Sequence, residues 1–347
     1  MQSRKMTMKD IADALGVSAM TVSKALNNKP GISEHTRRRV QDMAREIGYV
    51  PNLSAKSLRT NHSGTLGVVL SDSSEMVTSK VLRAIEDAGA EQGYNVIVAN
   101  TDHNPQRERK AIRTLVSKQI DGLVMVAPLL YAETDIASLR QYDKPFVFLM
   151  RKNDSAPLDS VINDNHLGGW QIIEHLISEG CSRFLFLLID NSQSSAERRE
   201  GCLKALEAHG IGEADCLFLY TKPNIDMARC ALAEQLARDG NFDAVVCGCD
   251  VQAIGAMDAL LQAGRQIPRD VCLTGYDGVE LAQYLRVPLT TVNQPFYEIG
   301  WQGTEILMDR IKYRDMPVRK IVLKSELVCR ESSLRRRNPG IRGVLHF

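Results

Sequence analysis

Residues 8–26 carry the spacing of two short helices joined by a tight turn. Ile11 and Leu15 stand four apart on one helical face, and Gly16 can take the positive φ that ends a helix. Ser18 can cap a second helix whose apolar positions are Val22, Ala25 and Leu26. Small Ala12 lets the two helices cross closely. Ala12, Gly16 and Val22 thus have the spacing of a helix-turn-helix, whose second helix enters a DNA major groove. The plainer alternative is a helical hairpin buried in a core. A second set of polar residues follows short apolar runs. Ser71 and Asp72 come after 67–70, Asn100, Thr101 and Asp102 after 96–99, and Arg151 after 146–150. Asp190 and Asn191 follow 184–189, Asp250 follows 245–249, and Asp277 follows 273–276. If the runs are parallel strands, these side chains stand at the carboxyl ends, where open α/β sheets bind ligands. Carboxylates there suit paired hydroxyls, and arginines suit a ring oxygen, a hydroxyl or an anionic group. Loops after strands are polar in any case, so the set carries more weight than any member.

The elements that must position these residues can be read from periodicity. Ser33 can cap a third helix through about Ile47, with Val40, Met43, Ala44 and Ile47 facing inward, and Gly48 and Pro51 follow its end. Beyond residue 62 apolar runs alternate with amphipathic segments. Runs at 67–70, 96–99, 122–126 and 146–149 flank helices at 78–92 and 106–118. A second series has helices at 168–179, 195–209, 226–239 and 250–264, with strands at 184–189, near 217–220, 244–247 and 271–274. Strands apolar on both faces and alternating with helices imply doubly wound parallel sheets. The fold class expected is therefore a small all-α helix-turn-helix head plus an α/β body of two such lobes.

Composition bounds the function. Residues 1–62 hold eleven Lys and Arg against five Asp and Glu, a balance of +6, whereas the whole chain of 347 residues carries +1 and the remainder therefore −5. A basic head on a mildly acidic body is the asymmetry of a nucleic-acid-binding module joined to something else. No run approaches the roughly 20 apolar residues of a membrane span. The polar N-terminus lacks a secretory core, which argues against an extracytoplasmic binding protein. All eight cysteines lie between Cys181 and Cys329, and a disulfide framework does not suit so long a chain in a reducing compartment. Cys247-Gly248-Cys249 has no second ligand pair near it in sequence and reads as part of a buried strand, so no metal is expected. No G-x-G-x-x-G follows a first strand, no G-x-x-x-x-G-K-[ST] or H-E-x-x-H occurs, and no nucleophile has an evident base. A carbohydrate-acting enzyme is the rival of another class, and these absences weigh against it. No cofactor is expected.

Thr7-Met8-Lys9-Asp10-Ile11-Ala12, Gly16-Val17-Ser18, Thr21-Val22-Ser23, Gly48-Tyr49-Val50-Pro51-Asn52 and Ala55-Lys56-Ser57-Leu58 resemble the head and hinge of the lactose-repressor/galactose-repressor family, and the likeness continues to about residue 332. The resemblance implies a cytoplasmic, homodimeric transcription regulator, a repressor first and an effector-responsive activator as the alternative. Its partners would be a near-palindromic double-stranded DNA operator and a small-molecule effector held between two lobes like those of a periplasmic binding protein. The domains implied are a head (1–50), a hinge helix and linker (51–62), an N-terminal lobe (63–164 and 294–320), a C-terminal lobe (165–293 and 321–332) and a flexible basic tail (333–347), with lobe crossings near 164, 293 and 321. Ala19 and Met20 fall where relatives read bases and would touch thymine methyls, while Lys24, one turn on, would take a guanine or a phosphate. Thr21 and Ser23 would bond phosphates, and Thr7, Ser18 and Asn27 complete the head's DNA-facing set.

On the effector side, Arg198 matches an arginine that contacts ligand and Asp277 a sugar-binding aspartate. Asp250 and Gln294 would line the same cleft, with Ser71, Asp72, Thr101 and Arg151. The chain departs from the family at three places. Cys249-Asp250 stands where many relatives have Asn-Asp, Met150-Arg151 where many have Asp-Arg, and the loop 73–80 lacks aromatic residues for stacking on a pyranose. Loss of one carboxylate while Arg151 and Arg198 remain tilts the expectation toward an acidic or phosphorylated sugar, with Lys80 either an added contact or a solvated helix residue. The end of the chain has no apolar heptad, and Pro339, Gly340 and Gly343 break any helix, so a dimer is expected rather than a tetramer.

The hinge 52–60 is too short for a stable helix by itself and would fold on DNA, with Asn52 as cap and Ala55 small enough for two copies to approach closely. The resemblance adds Lys56 to the DNA-binding set and makes Leu58 the leucine that wedges into the minor groove. Leu58→Ala should weaken specific operator binding and lessen DNA bending while non-specific, salt-dependent binding stays the same. An unchanged bend angle and operator affinity in gel-shift and bending assays would remove the wedge role.

Overall fold

In the computed structural model of the protein, residues 6–49, 62–129, 132–152 and 156–335 are described. The hinge expectations at Asn52, Ala55, Lys56 and Leu58 lie outside the described residues, as does the chain beyond Arg335. Two compact units are present, Met1–Ser63 and Gly64–Phe347.

The first unit holds three helices, α1 (Met8–Leu15), α2 (Ala19–Leu26) and α3 (Glu34–Glu46). Each begins at a hydroxyl that satisfies an otherwise orphaned N–H. Thr7 and Asp10 form a reciprocal capping box on α1, and Ser18 and Ser33 accept from the N–H groups of Thr21 and Thr36, both at 3.1 Å. Gly16 (φ 65°) and Gly48 (φ 63°) carry the chain out of α1 and α3 in the left-handed region, where a side chain would be strained. Ile11, Ala12, Val22, Ala25, Val40 and Ala44 close a small apolar core.

In the second unit the chain runs through β1 (Thr65–Leu70), α4 (Met76–Glu91), β2 (Asn95–Asn100), α5 (Pro105–Ser117), β3 (Gly122–Val126), α6 (Glu133–Arg140), β4 (Phe146–Leu149) and β5 (Ser160–Asn163). It then forms α7 (Asn165–Ser178), β6 (Phe184–Ile189), α8 (Gln193–Ala208), β7 (Leu217–Thr221), α9 (Ile225–Arg238), β8 (Ala244–Cys247), α10 (Asp250–Gln262), β9 (Cys272–Asp277) and β10 (Thr290–Asn293). It closes with α11 (Phe296–Lys312), β11 (Lys320–Leu323) and β12 (Glu326–Val328). One sheet has the order β11-β5-β4-β3-β1-β2 and the other β12-β10-β9-β8-β6-β7. All pairings are parallel except β12 against β10. Val81 and Ile85 of α4 with Ile299 and Leu307 of α11 bury one face of the N-terminal sheet, and Ile112 of α5 with Ile136 of α6 bury the other. The C-terminal sheet is covered likewise by α9 and α10 on one face and by α7 and α8 on the other.

The chain passes between the sheets three times, after Asn163, after Asn293 and after Leu323. The third passage comes later than the expected 321, because β11 pairs in parallel with β5 and so belongs to the N-terminal lobe. The tail also starts later than expected. Ser333 bonds His175 Nε2 (2.7 Å) and Thr290 Oγ1 (2.6 Å), and the Arg335 guanidinium donates to the Asp243 carbonyl (2.9 Å), so the chain is fixed to the C-terminal lobe through Arg335.

Two glycines set the approach of α7 to α8. A Cβ at Gly169 would land on the Arg198 carbonyl, and one at Gly201 on the His166 carbonyl. Both obstacles are helix backbone, which cannot give way locally. Gly201→Ala should therefore destabilise the protein by about 1–3 kcal/mol in urea unfolding, by overpacking. Stability equal to that of the parent would mean that the helices can part without loss.

Candidate DNA-reading helix and effector cleft

On α2 the caps and the apolar face fix which side chains remain outward. Val22 and Ala25 are buried, while Ala19 and Met20 are exposed, Met20 by 71%. An apolar side chain so exposed on a capped, polar-flanked helix is suited to a thymine methyl. Thr7 donates its hydroxyl to Asp10 (2.7 Å), Ser18 and Thr21 share a hydroxyl hydrogen bond (2.9 Å), and Asn27 donates Nδ2 to the Ser23 carbonyl (2.8 Å). Ser23 is half-buried on the same helix. Lys24 is also half-buried and its Nζ lies beside Gly31, so it folds back instead of extending from the helix.

In the second unit the carboxyl ends of the two sheets face each other. Lys80 of α4 reaches the Gly278 carbonyl beyond β9 at 3.5 Å, and Lys152 beyond β4 stands 3.4 Å from Glu197 of α8. At the floor lies Arg198. Its Nε donates to Asn165 Oδ1 (3.1 Å), its Nη1 donates to the Gly248 carbonyl (2.5 Å) and stands 3.7 Å from Asp277 Oδ1. The guanidinium carbon sits 3.7 Å above the centre of the buried Tyr276 ring, a cation–π contact. Asp277 Oδ1 accepts from Gln294 Nε2 (2.7 Å), which lies just beyond β10. Gln294 Oε1 is buried and accepts no hydrogen bond from the protein. Asp277 itself has φ 125°, a backbone region that side-chain-bearing residues avoid and that recurs at ligand sites. Arg198, Asp277 and Gln294, separated by up to 96 positions in the chain, therefore converge, and they present a cation, an anion and an unfilled acceptor to one spot.

The other expected cleft residues have different places. Asp250 is fully buried, and its oxygens accept from Thr291 Oγ1 (2.6 Å) and Val279 N–H (2.8 Å), so it braces the floor from within and does not face a ligand. Thr101 is buried with its hydroxyl donated to the Leu70 carbonyl (3.1 Å). Asp72 accepts the Ser74 N–H (2.8 Å), and that bond lowers its pKa; it shapes its own turn. Ser71 donates to Glu75 (3.2 Å), and Arg151 donates to the Pro128 carbonyl (2.5 Å). Sequence reasoning passed over Asn163, Asn165, Glu197 and Lys152. Asn163-Asp164-Asn165 lies at the first lobe crossing, and that position was the available clue. Cys247 and Cys249 are buried, and among the described residues no three His, Cys, Asp or Glu side chains gather as a metal site would need.

Burial pushes Asp277 up to about 7, against the pull of Arg198. Burial likewise raises Asp250 to about 6, opposed by its hydrogen bond from Thr291. A carboxyl raised on folding binds its proton more tightly in the folded state. Its contribution to stability is complete below the ordinary carboxylate range near pH 4 and is lost as pH rises through the folded value. Asp277→Asn should shrink the fall in melting temperature between about pH 5 and about pH 8, leaving the share due to Asp250. A fall as large as in the parent would show that Asp277 is ionised throughout.

Two family models cover the chain. One describes bacterial regulatory proteins of the lacI family and matches residues 7–52; the other describes periplasmic binding proteins and the sugar binding domain of the LacI family and matches residues 63–328. The chain is 33% identical over 327 residues to the HTH-type transcriptional regulator GalR of Escherichia coli (strain K12), covering 94% of this chain and 95% of that protein. It is 32% identical over 328 residues to the HTH-type transcriptional repressor PurR of Vibrio atlanticus (strain LGP32), covering 94% and 98%. Among solved structures, the lac repressor dimer bound to operator and the anti-inducer ONPF superposes with a TM-score of 0.87 at 25% identity, over 95% of this chain and 100% of that one. A LacI-family regulator from Enterococcus faecium with bound ribose gives 0.71 at 26% identity, over 79% and 100%. The chain belongs to the LacI family of bacterial transcription regulators.

Proposed function

We propose that the protein is a cytoplasmic repressor whose homodimer binds a near-palindromic operator and whose affinity for it is set by a sugar or sugar derivative in the cleft. The observation that carries this reading is the convergence of Arg198, Asp277 and Gln294 between two lobes, in a chain that also bears a capped, outward-facing α2. No helix of the described residues is long and apolar enough to cross a membrane. The curated relatives are regulators and repressors of transcription, which favours repression over activation.

Support for a dimer comes from exposed apolar side chains. Ile225 and Met227 on α9, Leu281 and Tyr284 in the helical turn after β9, and Tyr220 at the end of β7 are all exposed, Tyr284 by 71%. Ala228 of α9 and Ala282 of that turn belong to the same core. Ile97 and Val98 are exposed on β2, an edge strand of the N-terminal sheet. Apolar surface of this kind marks association, and a second copy would cover it.

The geometry shifts the expected effector class. The sequence suggested surplus positive charge, but Arg198 faces Asp277, Arg151 donates to Pro128, Lys152 faces Glu197 and Lys80 reaches Gly278. Those cations are already engaged, while Gln294 Oε1 still needs a donor. A neutral polyhydroxyl compound supplies donors without a further charge to be matched.

A thermal-shift panel of neutral sugars, sugar acids, sugar phosphates and purines should give stabilisation with a neutral sugar, rising with concentration as mass action requires. Arg198→Ala should abolish that shift and the ligand response while operator binding remains. Stabilisation by an anionic compound would return the effector to the acidic class, and an unaltered response in Arg198→Ala would move the site elsewhere.

A further inference from the structure

One ion pair joins the lobes beside the Arg198 cluster. Lys152 Nζ, just past β4, lies 3.4 Å from Glu197 Oε1 on α8, and the two side chains are 33% and 14% exposed. Oε1 is buried and accepts no hydrogen bond. The contact is thus electrostatic and not fully made, and a small approach of the lobes would complete it. Glu197 Oε2 accepts from Asn165 Nδ2 at 2.8 Å. Asn165 Oδ1 in turn accepts from Asn163 Nδ2 (2.9 Å) and from Arg198 Nε (3.1 Å). Asn163 ends β5 in one lobe and Asn165 begins α7 in the other. Hydrogen bonds and ion pairs therefore link Glu197, through the first crossing, to Arg198 and Asp277, with Lys152 at the outer end. Glu197 and Arg198 are consecutive on a helix and point about 100° apart. The Asn165 amide holds both.

We propose that Glu197 is a positioning residue that carries the separation of the lobes to Arg198. The proposal rests on the reading of Arg198 as an effector contact. When the lobes close, Lys152 completes its bond to Oε1 and fixes the Glu197 carboxylate, which fixes the Asn165 amide and gives Arg198 Nε a constant acceptor. When they part, the carboxylate loses its cation, the amide is held less firmly, and the guanidinium is freer to leave Asp277. Linkage requires the reverse as well: a ligand that draws Arg198 away from Asn165 favours the wider spacing.

Amide hydrogen exchange on the full, ligand-free chain tests this, because the ion pair of Lys152 with Glu197 is linked to the 163–168 crossing through Asn165. Lys152→Met and Glu197→Gln should each speed exchange at 163–168 about two- to fivefold, the scale of a partly exposed ion pair. Lys80→Met, which removes a different contact between the lobes, should leave 163–168 as in the parent. Lys152→Glu combined with Glu197→Lys restores attraction between the lobes but leaves no acceptor for Asn165 Nδ2, so it should not restore slow exchange. The parent in about 1 M salt should show the same acceleration without any substitution, since the pair is then screened. Parent-like exchange in Lys152→Met, acceleration in Lys80→Met, or recovery in the swapped pair would each overturn the positioning role. None of these outcomes bears on whether the cleft binds a sugar, which ligand-induced stabilisation decides.

Discussion

Arg198 and Asp277 keep only 8% and 12% of their side chains exposed, and charges so far withdrawn from water need each other and a hydrogen-bond partner at each remaining atom. Removing one member of such a pair typically costs about 3–5 kcal/mol, because the other is left uncompensated. Much of the surrounding structure meets that demand. The Gly248 carbonyl and the Asn165 amide take the guanidinium N–H groups, Tyr276 supplies a π face beneath it, and Gln294 donates to the carboxylate. Gly169 and Gly201 allow α7 and α8 to approach closely enough for Asn165 and Arg198 to meet. The contacts come from residues at two of the three lobe crossings, so the pair is held by the segments that must move if the lobes move.

The same topology shows how a ligand here could act on the lobes as a whole. Each sheet is internally rigid, with apolar strands buried between helix layers, and only short passages after Asn163, Asn293 and Leu323 join the lobes. A ligand that changes the preferred spacing of two rigid bodies transmits that change without bending either. The strained Asp277 and the unsatisfied Gln294 Oε1 are stabilised by the surrounding fold, and a ligand donor would relieve the second.

The head was legible in the sequence because its determinants are local. Thr7, Ser18 and Ser33 cap helices within three residues of themselves, and Gly16 and Gly48 end them. Alternation of apolar runs with helices likewise gave β1 to β4 and β6 to β9, whereas α6, α11 and the short strands β5, β10, β11 and β12 at the lobe crossings were not read. The cleft was legible only in part. Strand exits marked Asp250, Thr101 and Asp277 alike, yet which of them faces a ligand depends on partners far away in sequence: Thr291 claims Asp250, Leu70 claims Thr101, and Gln294 leaves one Asp277 oxygen unclaimed. Lys24 read as an extended side chain because nothing in its own helix shows that it folds back beside Gly31. Glu197 and Lys152 were invisible as a pair, since each is an ordinary charged residue until the two lobes are brought together.

The central claim is that the cleft floor made by Arg198, Asp277 and Gln294 is where the effector binds. A crystal structure of the protein with the compound that most raises its melting temperature tests this most directly. Ligand density is expected between the lobes, with a hydroxyl within hydrogen-bond distance of Gln294 Oε1 and another at the Asp277 carboxylate. Density elsewhere on the body, or in the cleft without contact to any of the three side chains, would contradict it.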